Sequence, residues 1–245
     1  MNQAAQPTRL AVDPGEIVVT GVSKSYGAVG RHKDVVRDCS FTIERGKLTV
    51  MIGPSGCGKS TLIRLLAGFE RPTEGTVRLD GQPVTGPDRD RLVVFQETAL
   101  FPWMTTYDNI MYGPRARGEV TRETHDLAEF LLNKVGLQEF RNKYPLQLSG
   151  GMQRRAELAR AMINNPRVMV LDEPTDHLDL ESISALKEAI EKYEGTIFYV
   201  THDRDLASAA NRIWTYVRPG ELLAYEGGLD AYLGWYNRHY HQQTA

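Results

Sequence analysis

Apolar positions along this chain follow two different rhythms. Ile17-Val18-Val19-Thr20-Gly21-Val22 reads as a strand ending in Ser23–Gly27, and alternation resumes over Val35–Ile43 after a loop from Ala28 to Lys33. The turn Glu44–Lys47 feeds a short apolar run, Leu48–Ile52. Val77-Arg78-Leu79 followed by Asp80-Gly81 predicts a hairpin, so this part of the chain is rich in antiparallel strands. Leu92–Phe95, Val168–Leu171 and Ile197–Val200 are continuous apolar runs, the pattern of strands buried on both faces. From Thr105 to about Arg160 the period turns helical. There Thr121 predicts an N-cap, Glu123 sits in the first turn, and Leu127, Phe130, Leu131 and Val135 form a packing stripe that Gly136 ends. Glu181–Tyr193 is an amphipathic helix with Ile183, Leu186 and Ile190 on one face. Ile213–Val217 and Leu222–Tyr225 predict a last hairpin through Pro219-Gly220, and the aromatic-rich stretch Leu229–Tyr240 reads as helical. The pattern predicts one α/β domain over residues 16–228, with an antiparallel β portion and a helical subdomain inserted at about 102–160.

Composition narrows this picture without redirecting it. The 245 residues suffice for one large α/β domain with an inserted subdomain, and 41% hydrophobic with 24% charged residues is ordinary for a globular protein. A formal net charge of −2 gives no basic surface for nucleic acid, and none is expected as a partner. No apolar run approaches the ~20 residues of a membrane-spanning helix. Residues 1–15 read as a flexible leader without a secretory apolar core, and residues 229–245 as an aromatic tail. Cys39 and Cys57 are the only cysteines and lack metal-ligand spacing; two free thiols in a reducing cytosol are expected, the alternative being one bridge between them.

The chemistry concentrates where the apolar run Leu48–Ile52 meets Gly53-Pro54-Ser55-Gly56-Cys57-Gly58-Lys59-Ser60-Thr61, which opens onto a helical pattern from Leu62. Strand, glycine-rich loop and helix is the context in which this spacing binds a nucleoside triphosphate. Backbone N–H groups and the helix N-terminus hold the phosphates, Lys59 reaches the β- and γ-phosphates, and the Ser60 hydroxyl ligates Mg²⁺. Cys57, beside those N–H groups, is expected to have a lowered pKa. Far downstream, the buried run Val168–Leu171 delivers Asp172-Glu173: an aspartate for Mg²⁺ and a glutamate to polarise the attacking water. His202 follows another strand end and can contact a γ-phosphate, although alone it reads as a packed or solvated histidine. Gln96 alone is equally uninformative, since its amide serves a turn as well as a metal.

Leu148-Ser149-Gly150-Gly151-Met152-Gln153 sets the class. Alone it is a serine-capped helix start. Placed after Gly53–Ser60 and Gln96 and before Asp172-Glu173 and His202, it resembles the signature sequence of ATP-binding cassette (ABC) ATPases, and the likeness runs from Glu16 to about Arg218. The resemblance implies a phosphate-loop fold of the ABC type that takes ATP with Mg²⁺. It implies a head-to-tail dimer, with itself or a paralogous subunit, in which each ATP lies between one Gly53–Thr61 loop and the Ser149-Gly150-Gly151 and Gln153 of the other subunit. Tyr26 matches the aromatic that stacks on adenine, the alternative being a strand-end tyrosine with a buried ring. Gln96 matches the Mg²⁺ ligand that senses the γ-phosphate, beside Ser60 and Asp172. Glu173 matches the general base, His202 the γ-phosphate contact, and Asp179 the aspartate that communicates across the dimer.

Two finer resemblances diverge. Gly86–Arg91, Val94-Phe95-Gln96-Glu97, Leu100-Phe101-Pro102-Trp103 and Tyr107-Asp108-Asn109 look like the nitrate, sulfonate and taurine importer ATPases. Thr175-Asp176-His177-Leu178-Asp179, Thr201–Asp205 and Tyr225-Glu226-Gly227-Gly228 are similar to the ABC-F proteins that work on ribosomes, which carry two cassettes and a charged linker. This chain has one cassette. The expectation is an ATPase subunit on the cytoplasmic face of the inner membrane that drives a separate permease, with a substrate-binding protein as an optional further member. The alternative is an ABC-F-like ATPase acting on ribosomes or another assembly.

Overall fold

The computed structural model describes residues 12–27, 33–176, 178–218 and 221–240. The strands are β1 (Ile17–Tyr26), β2 (Lys33–Ile43), β3 (Leu48–Ile52), β4 (Glu74–Leu79), β5 (Gln82–Pro83), β6 (Arg91–Val94), β7 (Val168–Asp172), β8 (Thr196–Val200), β9 (Arg212–Arg218) and β10 (Glu221–Glu226). The helices are α1 (Lys59–Ala67), α2 (Thr106–Ile110), α3 (Tyr112–Arg117), α4 (Arg122–Lys134), α5 (Gly150–Met162), α6 (Leu180–Glu191), α7 (Arg204–Ala207) and α8 (Leu229–Tyr240).

Six strands form one sheet in the order β10-β9-β3-β8-β7-β6, parallel except for the β9–β10 hairpin. Every residue of β7 and β8 is buried, because the sheet is covered on both faces. Successive residues serve opposite cores. Met169, Leu171, Ile197 and Tyr199 pack with the helices α4, α5 and α6, whereas Val168, Val170, Phe198 and Val200 pack with α1 and the second sheet. That second sheet, β2-β1-β4-β5, is antiparallel, and its strands alternate buried with exposed positions. The Asp80-Gly81 turn joins β4 to β5 with φ of 47° and 80°, as the dipeptide predicts.

The insert is the run from α2 to α5. Thr121 caps α4, accepting from the Thr124 N–H, and Gly136 follows the helix at φ 66°. Leu131 and Val135 are buried and Leu127 and Phe130 pack against them, so the predicted stripe is the packing face.

One expectation changes at the chain's N-terminal end. The leader expected to be loose over 1–15 is fastened in its described part. The Gly15 N–H donates to the Arg167 carbonyl (3.1 Å), Thr196 Oγ1 donates to the Gly15 carbonyl (2.6 Å), and Asp13 pairs with Arg167 (2.9 Å). At the other end the aromatic stretch is helical and packs against the cassette, the role its aromatic face favours: Tyr232 is buried and its hydroxyl donates to Thr215 Oγ1 (2.9 Å). The loop over 28–32, His177 and the Pro219-Gly220 connection lie outside the described residues.

Candidate functional site

The phosphate loop runs from the end of β3 into α1 with backbone turns only glycine makes cheaply. Gly58 has φ 103°, and a Cβ there would sit 2.7 Å from the Val35 carbonyl oxygen. Gly58 also occupies the N-cap, so no side chain caps the first N–H groups of α1. Those donors need an acceptor from elsewhere. Lys59 is only 8% exposed, and its ammonium donates to the carbonyls of Gly53 (2.7 Å) and Pro54 (2.9 Å). Among the described residues it has no carboxylate at ion-pair distance. A buried cation resting on two neutral carbonyls beside free N–H groups suits a phosphate chain.

β7 carries two carboxylates to the same place. Asp172, 9% exposed, is hydrogen-bonded by the Ser60 hydroxyl. Burial raises its carboxyl above the ordinary aspartate value, against the Ser60 hydrogen bond and the positive charges of Lys59 and Arg64. A hydroxyl and a carboxylate are hard oxygen donors, and a cation that completes its shell with water and substrate phosphates needs few protein ligands. They fit Mg²⁺.

Glu173 has φ 43°, unusual for a side-chain-bearing residue, and is locked there by its N–H donating to the Val200 carbonyl (3.0 Å). Its carboxylate meets His202 twice: Oε1 lies 3.2 Å from Nε2, and Oε2 accepts from the His202 N–H at 3.1 Å. Burial pushes the Glu173 carboxyl up, and the nearby His202 opposes this. Thr175 and Thr201 hydroxyls, 3.1 Å apart, tie the two strand ends together.

Gln96 follows β6 and is exposed; its amide Nε2 donates to Asp176 Oδ2 at 2.6 Å. Ser149 caps α5 by accepting from the Met152 N–H (3.3 Å), leaving Gly150 and Gly151 as its first residues. A Cβ on Gly151 would lie 1.9 Å from Ser182 Oγ, so α5 meets α6 where no side chain fits. Gln153 is turned back into its own subunit, donating to the carbonyls of Pro145 (2.9 Å) and Leu148 (3.2 Å). Asp179 caps α6 through the Ser182 N–H (2.8 Å). A polar cavity of about 500 Å³ separates Gln96 and Asp176 from Gly150.

The sequence profile of the family described as ABC transporter matches residues 36–176, from β2 through the carboxylates of β7. The chain belongs to the ABC transporter family. Its curated relatives include a nitrate import ATP-binding protein of Synechocystis, 39% identical over 79% of this chain and 76% of that protein. A taurine import ATP-binding protein of Roseobacter denitrificans is 40% identical over 79% and 74% respectively. An Fe(3+) ions import ATP-binding protein of Rhizobium etli is 39% identical over 87% of this chain, which spans 61% of that longer protein. Among solved structures, the dimeric, post-hydrolysis cassette MJ0796 bound to ADP and Pi has TM-score 0.73 at 29% identity, covering 86% of this chain and 98% of that one. The fold is therefore that of an ABC ATPase cassette, the class expected from the sequence.

Within this ABC cassette Tyr26 keeps an exposed ring near α1, with its hydroxyl donating to Glu70 Oε2 (2.5 Å) and the Lys24 ammonium 5.1 Å from the ring centre. It is not a strand-end tyrosine with a buried ring. Cys57 departs from expectation. Its sulfur turns inward, 3.1 Å from where a Cβ on Gly53 would lie, and burial raises the thiol's pKa instead of lowering it. A cavity of about 320 Å³ lies behind the phosphate loop, between Pro54, His202, Tyr216 and the α8 residues Tyr232 and Tyr236.

Sequence reasoning missed Arg154 and Glu157, which hold the Gln96 segment. Arg154 is 2% exposed and donates to the carbonyls of Phe95 (2.5 Å) and Gln96, and to Glu157 Oε2 (2.8 Å). Glu157, 4% exposed, accepts the Ala99 N–H at 3.0 Å, and Arg160 donates to the Ala99 carbonyl at 2.9 Å. Thr98 Oγ1 donates to Gln153 Oε1 (3.2 Å). The available signal was an i,i+3 charge pair amid the apolar residues Ala156, Leu158 and Ala159. Asp176, the partner of Gln96, was likewise passed over.

Proposed function

We propose that this chain is the ATP-hydrolysing subunit of an importer, powering a separate transmembrane permease for a small anion of the nitrate, sulfonate or taurine type. ABC ATP-binding proteins are ATPases, and the three relatives above are named import ATP-binding proteins. The observation that carries the chemistry is Glu173, fixed on a left-handed backbone and bracketed by both nitrogen contacts of His202. The loop N–H groups and Lys59 hold the triphosphate. Ser60 and Asp172 would hold Mg²⁺, with Gln96 joining them once its amide leaves Asp176; the ion would neutralise charge on the β- and γ-phosphates. Glu173 takes a proton from water as the water oxygen bonds to the γ-phosphorus and the bond to the ADP oxygen breaks. A carboxyl raised by burial is better matched to this base role than an exposed one. His202 steadies the carboxylate and faces the same phosphate.

The signature residues Ser149, Gly150 and Gly151 stand at the N-terminus of α5, where their N–H groups suit a phosphate on a second subunit. This supports a nucleotide-sandwich dimer with a second copy or a paralogous subunit, and MJ0796 is dimeric. No described helix is long and apolar enough to cross a membrane, so attachment to the cytoplasmic face would run through the permease, alongside any substrate-binding protein. Trp103, 69% exposed a few residues beyond Gln96, offers the permease an aromatic anchor. Identity to the nitrate, taurine and iron relatives is nearly equal, so the small-anion reading rests on the importer-like segments Gly86–Arg91 and Leu100–Trp103, and the solute itself would be chosen by the permease and any substrate-binding protein.

Replacing Glu173 by Gln tests the chemistry. ATP binding should persist while kcat falls by about 10²–10⁴-fold, and the ATP-bound dimer should accumulate in gel filtration. Turnover near the parent value would remove Glu173 from this role. Membrane extracts test the setting: recovery with permease subunits supports it, and recovery with ribosomal particles would favour the ABC-F-like alternative.

A further inference from the structure

Tyr26 ends β1 with an exposed ring, yet other residues set where that ring stands. Its hydroxyl donates to Glu70 Oε2 at 2.5 Å, and Thr61 stands beside the same hydroxyl. Glu70 also pairs with Lys24 (3.1 Å) and with Arg64 (3.5 Å). The Lys24 ammonium donates to the Arg71 carbonyl (2.9 Å) and lies over the Tyr26 ring, 5.1 Å from its centre. A cation thus takes one face of the ring, and a base would stack on the other. The strand end itself is stitched to the same loop: the Ser25 N–H donates to Thr73 Oγ1 (3.1 Å), and the Thr73 N–H to the Ser23 carbonyl (2.8 Å).

Glu70 reaches this place through the end of α1. Gly68 closes the helix at φ 80°, and a Cβ there would lie 2.4 Å from the Gly86 carbonyl oxygen. The turn brings the Phe69 and Glu70 N–H groups back to the Arg64 carbonyl (2.9 and 3.3 Å). The helix that opens from the phosphate loop at Lys59 therefore closes on the residue that holds Tyr26. Burial works to raise the Glu70 carboxyl, but the Tyr26 hydroxyl, Lys24 and Arg64 outweigh it and keep the carboxyl below its ordinary value. Burial and Glu70 together push the Tyr26 hydroxyl up, against Thr61 and Lys24, so it stays a donor. Ion pairs this near the surface add little stability. What the cluster does supply is order: the ring loses its rotamer freedom on folding and has none left to lose when a base arrives.

We propose that Glu70 is a positioning residue for the nucleotide base: it sets the Tyr26 ring in advance and ties it to α1. The helix whose start cradles the phosphates then also fixes, through the residue just past its end, where the base lies. Lys24 and Arg64 serve by holding the Glu70 carboxylate in place. This rests on the reading of Tyr26 as the ring that stacks on adenine, and adds to it the group that orients the ring.

The test separates base from phosphates. Titration calorimetry gives the affinity of the purified chain for MgATP and for inorganic tripolyphosphate, which carries no base. Tyr26→Ala should weaken MgATP binding and spare tripolyphosphate. If MgATP binding stays at the parent value, the stacking reading fails first and the role of Glu70 falls with it. Given that loss, Glu70→Ala should weaken MgATP binding by about 2–12-fold, the weight of ordering one side chain, with no fall for tripolyphosphate. Glu70→Gln keeps an oxygen for the hydroxyl but releases Lys24 and Arg64, and should lie between. Tyr26→Phe keeps the ring without its hydroxyl. Combined with Glu70→Ala it should lose less than the sum of the two single losses, because both remove one contact. Three outcomes overturn the proposal: parent-like MgATP affinity in folded Glu70→Ala, an equal fall for both ligands, or losses that add in the double variant.

Discussion

The phosphate loop and the Gln96 segment serve the same nucleotide but are built in opposite ways. The loop's shape comes from its own residues: glycines at positive φ, a helix that starts at Lys59, and a lysine that folds back onto Gly53 and Pro54. The Gln96 segment takes its shape from α5, a helix that begins more than fifty residues later, through Arg154, Glu157 and Arg160. A self-organised loop makes a fixed cradle. A segment whose main chain is held from another element moves when that element moves. The contrast assigns binding to the first and signalling to the second.

The largest effect should come from loading the loop with a side chain it cannot hold. Gly58→Ala places a Cβ 2.7 Å from the Val35 carbonyl at φ 103°, so it should cost about 1–3 kcal/mol and most of the ATP affinity. Gly56 has φ 78° but nothing within 4 Å of its would-be Cβ, so Gly56→Ala carries the backbone strain without the clash and should cost about 1 kcal/mol, less than Gly58→Ala. At roughly 2–4 °C per kcal/mol for a chain of this size, paired melting curves resolve the two. Equal losses would mean that close packing against β2 does not shape the loop.

Trp103→Ala probes the other region. Phe101 packs on Tyr112, with ring centres 4.6 Å apart, while Trp103 stays largely in solvent. The substitution should change stability by no more than about 0.5 kcal/mol and leave ATP binding intact, yet reduce co-purification with the permease. A large drop in melting temperature would assign Trp103 to packing and detach signalling from this end of the segment.

Cys57 gives the smallest readout and the most local one. Because burial holds the thiol above its ordinary value of 9.0, the thiolate is scarce at neutral pH. Iodoacetamide should label it slowly at pH 7, and faster as pH rises beyond 9. Rapid labelling at pH 7 would show that the helix N-terminus outweighs burial and that the loop is more open than its close contacts imply.

What the sequence determined by itself is what local chemistry specifies. Continuous apolar runs announced β7 and β8, since a strand covered on both faces has no polar side to show. The spacing of Gly53–Thr61 announced the phosphate loop, because the turns depend on glycines within it, and Thr121 and Asp80-Gly81 fixed a cap and a turn. Tertiary structure decided everything that joins distant positions. The inward turn of the Cys57 sulfur follows from Tyr216 and Gly53 surrounding it, so burial overrides the helix N-terminus. The fastening of residues 13–15 depends on Arg167 and Thr196, and the burial of Tyr232 on Thr215. Nothing in the neighbourhood of Arg154 and Glu157 along the chain names Phe95 and Ala99 as their partners. A hydrogen bond to a main-chain group leaves no mark on the identity of the residue that provides it, and so such contacts become visible only when the chain has folded.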